Sequence, residues 1–177
     1  PELDRILVES YIPGAEMALE GLLVRGELRV LALFDKPDPL EGPYFEESIY
    51  TTPSRLSLDV QARIIECAQR TVRALGFSEG PVHAEFRVND EGPWVLEASP
   101  RPIGGLCSRV LRFGPERILL EDLLVRHAVG LPGADLERAP GSRVAERGDR
   151  MRVVFGQDQG RDRRLLGVCA RGKRTER

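Results

Sequence analysis

Apolar and polar residues alternate with a period of two through much of the first hundred positions, the spacing of strands with one buried face. Ile6 to Ile12 reads as a strand, Pro13-Gly14 as a turn and Glu16 to Val24 as a second alternating run. Arg25-Gly26-Glu27 marks a hairpin turn into the apolar Leu28 to Phe34, so three antiparallel strands are expected. Residues 35–57 hold four prolines and no clear period, which predicts a surface loop with a short strand-like stretch at Ser48 to Thr52. From Asp59 to Leu75 the period becomes helical: Val60, Ile64, Ala68, Val72 and Leu75 recur, Ser57 stands where a cap belongs and Gly76 where a helix stops. A second helix is predicted from Pro115 to Val129, with Leu119, Leu120, Leu123, Leu124 and Ala128 inward and Gly130 and Pro132 beyond.

Between these helices, His83 to Gly105 reads as a hairpin followed by a glycine-rich turn. Two alternating runs, His83 to Val88 and Trp94 to Ser99, flank the turn-forming Asn89-Asp90-Glu91-Gly92-Pro93. If Val88 opposes Trp94, Glu85 opposes Glu97. Ala84, Phe86, Val88, Trp94, Leu96 and Ala98 then share an apolar face, while His83, Glu85, Arg87, Val95, Glu97 and Ser99 share a mostly polar one. Opposed carboxylates about 5 Å apart repel by about 3 kcal/mol at an effective dielectric of about 20. Two arrangements would offset this: a divalent cation such as Mg²⁺, which takes oxygen ligands, or neutralisation by Arg87 and Arg101 on a solvated face.

Composition places the chain among globular proteins: of 177 residues, 41% are hydrophobic and 31% charged. No apolar run reaches the ~20 residues of a transmembrane helix and no signal peptide opens the sequence, so a cytoplasmic protein without a membrane partner is expected. Cys67, Cys107 and Cys169 are widely spaced and odd in number, which points to reduced thiols, with Cys107 a packing residue. The opening at Pro1, already close to a strand, suggests residues upstream. Charge is uneven. Residues 1–139 carry 15 basic and 23 acidic residues, against 11 and 5 in residues 140–177. That basic tail lacks interleaved aromatics, so nucleic acid is not its expected partner. Disorder, or a reading-frame shift near Pro140, is the expectation, with Met151 to Phe155 its one strand-like run.

The remaining polar candidates lie near the start. Glu9 and Glu16, seven residues and a tight turn apart, can converge on one pocket, or be ordinary edge polarity. Lys36 is one of two lysines in the chain, able to reach a phosphate or simply to be solvated, and Glu46 and Glu47 follow in the loop. With these residues in view, the chain resembles the C-terminal half of an ATP-grasp domain, most closely the bacterial carboxylate-amine (amino-acid) ligases. Glu9-Ser10-Tyr11-Ile12-Pro13-Gly14-Ala15-Glu16 is similar to the family's adenine-binding segment. Phe34-Asp35-Lys36-Pro37 through Thr52-Pro53-Ser54 resembles its intervening loop, and the hairpin resembles its magnesium block.

The resemblance implies an α+β fold, an antiparallel β-sheet with helices packed on one face, over residues 1–139. It puts Glu9 and the backbone of Ser10 and Ile12 at the adenine, Glu16 at the ribose, and Glu85 and Glu97 on Mg²⁺, or Mn²⁺, against the ATP phosphates. Ser99 stands where many members have a ligating Asn. Arg101 would steady a phosphate or acyl phosphate, Lys36 would contact phosphate, and Gly104 and Gly105 would let the backbone approach substrate. The implied reaction joins a small-molecule carboxylate to an amine through an acyl phosphate. The family's preceding domain and first half of the ATP clamp have no counterpart here, so the isolated chain is expected to be inactive. An ATP-grasp carboxylase or purine-pathway ligase and a non-catalytic remnant are the alternatives; a homo-oligomer is left open.

Overall fold

The computed structural model describes residues 8–37, 49–104 and 107–131, and the backbone of residues 151–155 and 165–170. Seven strands form one sheet. They are Ala15–Val24 (β1), Glu27–Lys36 (β2), Ile49–Thr52 (β3), Gly80–Asn89 (β4), Gly92–Ser99 (β5), Met151–Phe155 (β8) and Leu165–Ala170 (β9), while Arg112–Phe113 (β6) and Ile118–Leu119 (β7) pair separately. The order across the sheet is β5-β4-β1-β2-β3-β8-β9, every neighbour antiparallel. β8 lies where the tail looked strand-like, and β9 is a strand the pattern did not signal.

β1 organises the sheet because its alternation is strict. Met17, Leu19 and Leu23 face one side, and Ala18 and Leu22 the other, with all five buried. At its end Arg25 (φ 52°) and Gly26 (φ 80°) form the tight turn into β2 with the two positive φ values that a two-residue hairpin favours. The partner on the other side of β1 is β4, paired from Ala15↔Val88 to Leu23↔Gly80. That corrects the expected strand at Ile6 to Ile12, of which residues 8–12 are described and are not a strand. Both edges of β1 are already occupied, and Pro13 has no N–H to extend a ladder.

The helix Leu58–Ala74 (α1) buries Ile64, Ala68 and Val72 against Met17, Leu19, Leu23, Val82, Ala84 and Phe86. It ends as predicted, with Gly76 at φ 73° and Phe77 N–H donating to Val72 O at 2.9 Å. Ser57 makes no side-chain capping bond; only its backbone carbonyl serves, accepting Gln61 N–H. The second helix, Leu120–Ala128 (α2), is shorter than expected because Gly114 (φ 63°) and Arg117 (φ 55°) turn residues 112–119 into the β6–β7 ladder. Leu120 and Leu123 are buried with Ala18, Leu22, Phe34, Ile103 and Cys107 on the face opposite α1. The α+β class and the antiparallel sheet are as expected, but the two helices lie on opposite faces rather than on one, since both faces of β1 are apolar. Cys107 is a packing residue, 1% exposed.

The β4–β5 hairpin differs from the predicted one in an instructive way. Val88 opposes Pro93 rather than Trp94, yet Glu85 does oppose Glu97, because a bulge between Phe86↔Val95 and Glu85↔Glu97 absorbs Leu96. Trp94, paired with Arg87, therefore belongs to the polar face, and Val95, paired with Phe86, to the other. Trp94, Val95 and Leu96 are all partly exposed on this edge strand.

Candidate nucleotide and metal site

Register alone lays out a grid of charge on the α2 side of the sheet. Glu16 pairs with Lys36 and with Arg87; one row inward Ala18 pairs with Phe34 and Glu85, and Glu85 with Glu97; the next row runs Ala32, Glu20, His83, Ser99. Alternation puts all of these side chains on one face. Phe34, Ala18 and Ala32 join the buried cluster beneath, so the polar groups sit at its margin.

Lys36 Nζ is 2.8 Å from Glu16 Oε1 and 3.2 Å from Glu85 Oε2, with a side chain 2% exposed. Its ammonium also lies 5.2 Å from the centre of the Tyr50 ring. Arg87 contacts the other oxygen of Glu16 through Nε at 3.3 Å and Nη2 at 3.2 Å. A carboxylate has about four acceptor positions, so Glu16 keeps capacity for a further donor.

Glu85 bridges outward and inward. His83 Nε2 lies 3.3 Å from Glu85 Oε1, and His83 Nδ1 lies 3.5 Å from Glu20 Oε2, an ion-pair distance beyond a good hydrogen bond. Burial works against protonating His83, but the carboxylates of Glu20 and Glu85 outweigh it and lift the ring to about 9. Burial likewise disfavours ionised Glu85, yet the His83 ring and the Lys36 ammonium bring it down to about 2. In Glu20 desolvation prevails over His83 and the Ile103 N–H, and its pKa is raised.

The outer half of the pair is open. Glu97 accepts the Ser99 hydroxyl at 2.6 Å and lies 3.7 Å from Arg101 Nη2, with the Glu97 and Arg101 side chains more than half exposed. The repulsion between the two carboxylates is offset by Lys36 and His83 on one side and by Ser99 and Arg101 on the other. Arg87, expected among the neutralising groups, serves Glu16 instead. Two opposed carboxylates, an adjacent hydroxyl and an open front suit Mg²⁺ or Mn²⁺, which take one or two protein carboxylates and leave other positions to water and phosphate. Among the described residues no three His, Cys, Asp or Glu side chains gather as a closed metal cage. The donor set fits a cation shared with a ligand.

The segment before β1 is fastened to the same grid. Arg87 Nη1 donates to Ile12 O at 2.7 Å, its guanidinium carbon lies 4.5 Å from the centre of the Tyr11 ring, and Asn89 Nδ2 donates to Pro13 O at 3.0 Å. Gly14 (φ 138°) is required here, since a Cβ would lie 2.4 Å from Val88 O. Glu9 and Ser10 are exposed alongside. Gly104 has open space where a side chain would be. Gly105, Glu46, Glu47 and Pro132 lie outside the described residues. The structure therefore gathers Glu16, Lys36, Glu85, Glu97, Ser99 and Arg101, with Ile12 tied to them through Arg87 and Glu9 and Ser10 at the edge. The sequence reading gave Arg87 only a neutralising part and His83 and Glu20 none. For Glu20 the signal was a lone carboxylate two strand-steps from Glu16 in an otherwise apolar run.

The chain belongs to the ATP-grasp family: the family's domain matches residues 2–110. Among curated relatives, carnosine synthase 1 of Gallus gallus is 34% identical over 129 residues, 72% of this chain and 13% of its own length. The D-alanine--D-alanine ligase of Gloeobacter violaceus is 38% identical over 103 residues, 55% of this chain and 33% of its own. Among solved structures, an L-amino acid ligase from Bacillus licheniformis superposes with a TM-score of 0.63 at 26% identity, covering 85% of this chain and 37% of that one. Phosphoribosylglycinamide synthetase from Anaerococcus prevotii, at 11% identity and a TM-score of 0.61, shares the fold. The chain spans well under half the length of each of these proteins. No helix among the described residues is long and apolar enough to cross a membrane.

Proposed function

We propose that this chain is one wall of the ATP site in a ligase that joins a small-molecule carboxylate to an amine, with an amino acid among its substrates. The observation that carries the reading is the opposed pair Glu85 and Glu97, set one row from Glu16 and Lys36 and bordered by Arg101. The relatives at 34% and 38% identity, named as a carnosine synthase and a D-alanine ligase, support an amino-acid substrate.

ATP would lie along this face with its adenine against residues 9–12. Arg87 holds the Ile12 carbonyl and so fixes the backbone there, whose Ile12 N–H would meet the base. Glu16, fixed by Lys36 and Arg87, would accept the ribose hydroxyls. Glu85, Glu97 and Ser99 would hold Mg²⁺, which when bound neutralises phosphate charge; Mn²⁺ suits the same oxygens. Lys36, held between Glu16 and Glu85, would exchange one of those two carboxylates for a phosphate oxygen. Arg101, exposed on the turn beyond β5, would meet the charge of the transferred phosphoryl group and of the acyl phosphate. Gly104 and Gly105 would give substrate access to the backbone. The carboxylate oxygen attacks the γ-phosphorus with loss of ADP; the amine nitrogen then attacks the acyl carbon, phosphate leaves and the amine's proton passes to solvent. The residues' work is positioning and charge neutralisation.

The test is amine-dependent ADP release by the full-length protein over a panel of amino acids. Release with an amino acid and its loss in Glu97→Gln are expected; release driven by bicarbonate or phosphoribosylamine instead would overturn the substrate reading. The chain alone is expected to bind MgATP weakly and to turn over nothing.

A further inference from the structure

Glu20 is 0% exposed, on the β1 face whose neighbours Ala18 and Leu22 belong to an apolar cluster. A leucine there would extend that cluster, whereas a buried carboxylate carries a desolvation penalty. One of its oxygens, Oε1, is buried without a hydrogen-bond partner. The other accepts the Ile103 N–H at 2.9 Å, a contact between residues 83 positions apart, and lies 3.5 Å from His83 Nδ1. His83 Nε2 in turn meets Glu85, Glu85 opposes Glu97, and Glu97 meets Arg101, two residues before Ile103. With the strand pairing of Glu85 and Glu97 as one link, these contacts form a closed ring that includes both acids of the opposed pair.

We propose that Glu20 is a positioning residue that fixes Glu85, through His83, and the Arg101–Gly104 turn, through Ile103, relative to one another. This rests on the reading of Glu85 and Glu97 as metal ligands. The ring has three strand members, β1, β4 and β5, and one irregular one, the turn after β5. Glu20 is where the irregular member is pinned to β1. Without it the turn can shift relative to the carboxylate pair although neither Glu85 nor Arg101 has changed.

The test compares Glu20→Gln and Glu20→Leu with the wild-type chain in two measurements. Nuclear magnetic resonance follows the Ile103 amide, the His83 ring and the Glu85 side-chain carboxyl without metal. Nucleotide titrations compare ATP with Mn²⁺ against ATP with chelator. Glu20→Gln keeps an acceptor for Ile103, so its amide should hold while His83 and Glu85 shift; in Glu20→Leu all three should move. In both variants the Mn²⁺-dependent gain in ATP affinity should fall about tenfold or more, the usual effect of losing a partner of a metal ligand. Affinity in chelator should stay, since residues 9–16 do not touch Glu20. A merely structural role would weaken both titrations alike. Unchanged Glu85 resonances and an unchanged Mn²⁺ effect in Glu20→Gln overturn the proposal even if Glu20→Leu fails to fold. If the wild-type chain shows no Mn²⁺ effect, the metal reading fails. The resonances then decide: a Glu85 shift in Glu20→Gln supports the strut and its absence overturns it.

Discussion

His83 departs from the ordinary behaviour of its residue type. Its pKa of about 9 lies above the ordinary 6.5, so the stabilisation it supplies is full below pH 6.5 and is lost as pH rises through about 9. Glu85, at about 2 against an ordinary 4.5, supplies stabilisation that is full above pH 4.5 and lost as pH falls through about 2. Proton-detected titration of the metal-free chain should therefore find the His83 ring still charged at pH 7.5. Glu85→Gln should move its midpoint toward 6.5; a wild-type midpoint already near 6.5 would refute the ion-pair account. Gly14 makes an independent case. Gly14→Ala forces a Cβ toward Val88 O at a φ that L residues rarely adopt, and should cost about 1–3 kcal/mol in denaturant unfolding. A neutral result would show that residues 8–14 are not seated on β4 as described.

At the scale of elements, the pattern was legible wherever one period ran unbroken. The strands β1 and β2, the turn at Arg25-Gly26 and α1 with its Gly76 stop follow from residue spacing, and Ile64→Ala, which opens a cavity between α1 and the sheet, should cost about 2–5 kcal/mol. Equilibrium urea unfolding with an unchanged slope would measure this, and a loss under about 1 kcal/mol would contradict the packing of α1. Legibility failed where a single backbone choice broke the period. The bulge at Leu96 exchanged the faces of Trp94 and Val95 without altering the Glu85–Glu97 pairing. Positive φ at Arg117 replaced the first turns of the expected second helix with a small ladder. Neither has a local composition signal: Leu96 is an ordinary strand residue, and arginine seldom takes positive φ. Residues 8–12 carry strand-like alternation, but both edges of β1 are taken, a fact only the β1–β4 pairing reveals.

For the molecule as a whole, the site was partly legible because sheet register turns sequence spacing into proximity. That positions 85 and 97 oppose one another could be reasoned from the hairpin turn. That β4 lies beside β1, which brings Arg87 to Glu16 and His83 to Glu20, could not, since those residues are separated by a helix and no local rule joins them. The result is a charged face on which Glu16, Glu20, Glu85 and Glu97 each have a cation or hydroxyl close by, and on which a metal-bound nucleotide would redistribute those partners. Calorimetric titration of the chain with ATP, in the presence and absence of Mg²⁺, tests this most directly. The account predicts weak binding that Mg²⁺ tightens in the wild-type chain and no longer tightens in Glu97→Gln. Equal affinity with and without Mg²⁺, or an Mg²⁺ effect that survives Glu97→Gln, would contradict it.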